Sequence, residues 1–191
     1  MDDLAFYFKE GWHHIISRAA LDHQLFILAL SAIYLLKDWK QVLVLVTAFT
    51  IGHSLTLALS VYDVIRANDR WVEFLIPCTI IITALFNFFQ KDFSPKRLRL
   101  NYFFALFFGL VHGMGFANTI RFMLAKDQTI GWSLFGFNIG LEAGQIATVS
   151  IILLLSYIFV DRMSVPRRWW IFILSSIAFI YALKFAIERI P

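Results

Sequence analysis

Three of the five histidines in this 191-residue chain stand where polar groups are costly. His53 lies in FTIGHSLTLALS (residues 49–60) and His112 in FFGLVHGMGFAN (107–118). His23 follows Asp22 at the head of DHQLFILALSAIYLL (22–36). Glu142 adds a carboxylate within FNIGLEAGQ (137–145). An ionisable side chain inside an apolar run is expensive and marks a functional site by default. Imidazoles and carboxylates together suit zinc, nickel, cobalt or iron. Thr50, Ser54, Asn138 and Gln145 are placed in sequence to orient the rings. The spacing is not a self-contained motif such as H-E-x-x-H, so the ligands would have to converge from separate elements. The bland alternatives are definite. Each histidine can be an interhelical hydrogen-bond strut, and Asp22 can simply cap a helix start. Glu73 reads as an interface residue, and Lys184 with Glu188 as an i,i+4 pair.

The elements that must position these groups are membrane helices. The chain is 60% hydrophobic and 16% charged, against roughly 25% charged for a soluble domain. Its mean hydropathy is +0.72. Charges cluster and leave apolar stretches of about 15 to 25 residues, the pattern of a polytopic α-helical membrane protein. Six spans are expected, at about 22–36, 41–62, 71–90, 100–124, 131–160 and 169–187, all in one bundle over residues 1–191. Residues 1–20 read as an amphipathic segment too short and too charged to span, lying along the outer surface or dipping inward. The linkers are short, so no soluble domain is expected.

Trp12, Trp39, Trp71, Trp132, Trp169 and Trp170 all fall at expected boundaries, as indoles favour the headgroup region. Loops after the first, third and fifth spans carry nine basic residues against three acidic ones. The positive-inside rule then sets both termini outside the cytoplasm. The net charge of +4 is read as this orientation signal and not as a nucleic-acid signature. Met1-Asp2-Asp3 lacks the basic start of a cleavable signal peptide, so none is expected. Cys78 is the lone cysteine and is read as a small core residue.

Helical rise converts sequence offsets into depth. Asp22, His23, His53 and His112 each lie roughly 20–22 Å from the basic residues marking the inner boundary, Gln145 about 24 Å and Glu142 about 28 Å. Several helices thus bring polar groups to nearly one level in the outer half of the bilayer. Gly136, Gly140 and Gly144 recur every four residues, as do Gly109 and Gly113 around His112, and Gly52 adjoins His53. Such faces let helices approach closely, so the helices carrying polar groups are those built to pack tightly.

GWHHIISRAALDHQLF, FTIGHSLTLA, FFGLVHGMGFAN and FNIGLEAGQ together resemble the HupE/UreJ family, with four blocks in order over nearly the whole chain. The family comprises small bacterial membrane proteins associated with hydrogenase and urease maturation and regarded as nickel or cobalt permeases. The resemblance implies a protein of the bacterial inner (cytoplasmic) membrane, with a metal-ion substrate and a metalloenzyme-maturation partner or an oligomer as possible associates. It also brings in His14, since the family signature is a histidine, a short spacer and Asp-His; here seven residues separate His14 from Asp22. By the same carry-over His14, Asp22 and His23 form an outer capture site, and His53, His112 and Glu142 pass the ion inward. The chain departs from the His-Pro form of that signature, since Ile15 follows His14.

The leading expectation is a permease for a divalent transition metal, nickel or cobalt by resemblance. No G-x-x-x-x-G-K-[ST] motif is present to couple it to ATP. One alternative is an intramembrane zinc-dependent hydrolase with Asp22 or Glu142 as base. The other is a structural accessory protein that binds no metal.

Overall fold

The computed structural model describes residues 2–90, 100–116, 120 and 130–191. The linker at 91–99 and the end of the fourth expected span lie outside them. The described residues form helices and no strand: α1 (Asp2–Ile16), α2 (Leu21–Ser31), α3 (Trp39–Val61), α4 (Asp69–Phe89), α5 (Leu100–Gly115), α6 (Ile130–Ser156) and α7 (Arg167–Glu188).

Local chemistry explains the boundaries. Asn68 caps α4 by accepting the Arg70 N–H at 3.1 Å. α3 ends in a Schellman turn. There the Val64 N–H bonds Leu59 O at 2.9 Å and the Asp63 N–H bonds Ser60 O at 3.1 Å. Asp63 takes the left-handed conformation this turn requires, with φ 61°. α6 runs on into a wider-wound turn at Tyr157–Arg162.

Among the described residues, four stretches are long and apolar enough to cross a membrane: Leu36–Val61, Asp69–Phe89, Ile130–Arg162 and Arg167–Glu188. The span expected at 22–36 is helical only over Leu21–Ser31, 11 residues. That is about 16 Å of helix against a hydrocarbon core of about 30 Å. It stops because Leu35 is extended, with its N–H held at 3.1 Å by the Asp38 carboxylate.

Most of the expected amphipathic segment forms α1, which packs against another helix. α1 runs parallel to α6 and packs on its glycine face. Side-chain carbon at Gly136 would press on Leu4, at Gly140 it would overlap the Phe8 carbonyl, and at Gly144 it would press on Ile15. Gly11 answers from α1 and meets the Phe137 backbone. Leu4, Phe8, Gly11 and Ile15 follow the 4-3-4 spacing of one helical face. Trp12 therefore sits inside this pairing, half-buried with its carbonyl near Gly144. Trp170 is buried too, stacked on Phe159.

α3 and α5 make the second close pairing. Gly52 meets the backbone of Leu106, Gly109 that of Phe49, and Gly113 that of His53. Both backbones approach so closely that any side chain at these glycines would collide with main-chain atoms. α7 clamps α2 at both ends. Arg189 bonds Asp22 at 2.9 Å, and Arg167 donates to Ile33 O beside Asp38.

Candidate metal centre

The break between α1 and α2 builds the site. α1 stops at Ile16, a short 3-10 turn follows at Arg18–Ala20, and α2 starts at Leu21. A helix end leaves carbonyls without intrahelical donors, and burying them unpaired is costly. Gln24 meets that need. Its Nε2 lies 2.9, 3.0 and 3.1 Å from the carbonyls of Ile15, Ile16 and Ser17. The turn so fixed puts His14, from the end of α1, against His23, from the start of α2, with ring centroids 4.7 Å apart.

The close α3–α5 crossing adds the other two rings. His53 and His112 are fully buried. His14, His23 and His53 each offer one ring nitrogen, and these atoms lie within 4.8 Å of one another. A tetrahedral ion holding imidazoles at about 2.1 Å sets its donors about 3.4 Å apart, so the three rings are gathered slightly wider than a closed site. His112 packs edge-on to His23 at 4.9 Å. His14 Nε2, His23 Nε2, both ring nitrogens of His53 and His112 Nδ1 are buried with no protein hydrogen-bond partner. Buried polar atoms are normally paired. Five orphaned imidazole nitrogens at one place fit a ligand set better than interhelical struts.

Thr79 of α4 orients His112. Its hydroxyl donates to Ile76 O at 2.6 Å, so its oxygen can only accept at His112 Nε2, 3.4 Å away. That assigns the ring proton to Nε2 and leaves the Nδ1 lone pair free. Phe26, Phe49 and Phe116 wall the rings, with His14 centred 3.9 Å from Phe116 and His112 5.3 Å from Phe26.

An open pocket of about 210 Å³ reaches the cluster from one end of the bundle, with Asp22, Glu73 and Arg189 around it and His14, His23 and His112 in its lining. Asp22 does not cap α2. That position falls on Ala20, with no side-chain bond. Asp22 Oδ2 pairs with Arg189 while Oδ1 has no partner.

The remaining expected residues are dispersed. Glu142 accepts the Thr47 hydroxyl at 2.7 Å and is not part of the three-histidine group. Thr50 bonds Gln145 at 2.8 Å, Asn138 Oδ1 is buried without a partner, and Ser54 is half-buried. Sequence reasoning missed Gln24, Thr79 and Arg189; Glu73, read as an interface residue, lines the pocket. Thr79 could have been found from its four-residue spacing with Thr83 and Asn87. Nothing local marks Gln24 or Arg189, whose partners lie across a helix break or 167 residues away.

The family model described as HupE / UreJ protein matches residues 1–189. No curated protein and no solved structure matches the chain.

Proposed function

The chain belongs to the HupE/UreJ family, and from that premise we propose that it is an inner-membrane permease for a divalent transition metal, nickel or cobalt. Its six expected spans are completed by α1 and α2 acting as one broken crossing, with both termini outside the cytoplasm. Non-helical backbone at membrane depth is tolerated where protein buries it, and broken helices serve as ion sites in transporters. The observation that carries the reading is the group of His14, His23 and His53 within 4.8 Å, reached by a pocket with two carboxylates.

Asp22 and Glu73 draw the cation in, the three imidazoles hold it, and His112 takes it onward. Glu142, held by Thr47, is left out of the ion set. Three imidazoles are also the donor set of some catalytic zinc sites. A hydrolase would need a base at the ion; Asp22 is paired through Oδ2 with Arg189 and Glu142 is held by Thr47 away from the three histidines, which favours transport. The test is metal accumulation in cells expressing the protein or its His53→Ala variant. Equal accumulation of nickel and cobalt in both would sink the permease.

A further inference from the structure

We propose that one face of α4 forms the exit half of the ion's route, with Thr79, Thr83 and Asn87 as its oxygen ligands. The proposal rests on the permease reading and extends it to the other side of the cluster.

Three observations converge. Glu73 and Ile76 line the open pocket at the cluster. Asn87 and Gln90 line a separate cleft of about 550 Å³ at the other end of α4, with Arg168 and Trp169 across it. Thr79, Thr83 and Asn87 lie between and are all buried. Positions 73, 76, 79, 83, 87 and 90 follow the three-and-four spacing of one helical face. From Glu73 to Gln90 that face covers about 25 Å, close to an apolar core of about 30 Å. One helix therefore carries a polar line from one opening to the other.

The chemistry of these groups suits release. Thr83 donates its proton to Thr79 O at 2.8 Å, and Thr79 gives its own to Ile76 O. Back-bonding explains the two hydroxyls, and Asn87 donates its amide protons to Ala29 O and Ser175 Oγ at 2.7 and 3.0 Å, yet the three groups align between two openings. With the protons committed, the interior meets oxygen lone pairs. Neutral oxygens hold nickel or cobalt less firmly than imidazole does, and conduction needs sites weak enough to leave. A cavity of about 20 Å³ touches Thr83, Asn87 and Asn101, enough for one water. Phe108 lines the same small cavity and packs on Phe26 at 5.5 Å. These rings close the route beneath His112 in this conformation.

The experiment compares wild type, Thr83→Val and Thr83→Ser in whole-cell nickel and cobalt uptake, with equilibrium binding of the same ions and thermal unfolding of purified protein. Valine keeps the shape and removes the oxygen. The expected result is uptake reduced tenfold or more in Thr83→Val, with tight binding at the histidines retained and melting temperature unchanged, and uptake retained in Thr83→Ser. Wild-type uptake by Thr83→Val overturns the exit route and leaves the permease standing. Absence of uptake by wild type itself overturns both. If Thr83→Val fails to fold, Thr83→Cys in a Cys78→Ala background decides. Modification of the introduced thiol by a hydrophilic thiol reagent supports a wetted route, and full protection overturns it.

Discussion

The rings of His14 and His23 lie 4.7 Å apart at 71° although they belong to different helices. Nothing between the two rings holds them there. The backbone turn does, and Gln24 holds the turn through three carbonyls. Gln24→Glu keeps the shape but replaces the donors with a carboxylate facing carbonyl oxygens. These acceptors are part-buried or exposed, so losing their donor costs about 0.5–1.5 kcal/mol. The expected outcome is a lower melting temperature together with weaker metal retention. A variant as stable as wild type, with unchanged metal affinity, would show that the turn is held by other means.

The four buried or half-buried histidines and the exposed one make an internal control. Loss of a supporting residue typically weakens metal affinity by about 10–100-fold. Single changes of His14, His23 or His53 to Ala should exceed that range, and His112→Ala should fall within it. His13 is exposed, and His13→Ala should bind as wild type does. Calorimetric titration with nickel and cobalt reads all five. Equal affinities across the series would return the histidines to a strut role.

The level of the site was legible in the sequence because helical rise is regular. His23, His53 and His112 are counted from basic markers, and they do meet. That count could not include His14, because α1 reaches the cluster by packing on Gly136, Gly140 and Gly144, and depth along one helix says nothing about a partner helix. The glycine spacing announced a close neighbour without naming it. Glu142 shows the limit of the same reasoning. Its place in an apolar run, its level and the resemblance all point to it, yet rotation about α6 directs it to Thr47. Depth fixes one coordinate of a side chain, and the helical face fixes another. The short α2 escaped notice because Leu35 is apolar by composition while its backbone is extended.

Gly140 should be the least tolerant residue of the α1–α6 pairing, since a side chain there would overlap the Phe8 carbonyl. Gly140→Leu forces two backbones apart, and overpacking of this kind costs about 1–3 kcal/mol. Because α1 carries His14, the damage should reach the metal site. The expected result is a folded protein whose metal affinity falls toward that of His14→Ala. Gly131 has nothing within 4 Å of its would-be side chain, so Gly131→Leu should leave binding unaltered. If both variants bind metal as wild type does, α1 is not held by this face.

Arg189 sets how much of the Asp22 charge an incoming cation meets. The two groups bond at 2.9 Å, with side chains 30% and 15% exposed, and the open pocket includes both. The guanidinium neutralises the carboxylate and adds its own positive charge to the ion's path. Arg189→Gln should therefore release Asp22 and improve capture at low metal concentration. A pair near water is worth about 0.2–1 kcal/mol, so the concentration for half-maximal uptake should fall by roughly 1.5- to 5-fold. Asp22→Asn should raise it, and the double variant should fall between Asp22→Asn and Arg189→Gln, because part of the gain depends on the carboxylate and part on removing the guanidinium charge. The effect should shrink at high salt, where exposed charges are screened. An Arg189→Gln variant with weaker capture would mean that Arg189 positions Asp22 for the ion and does not restrain it.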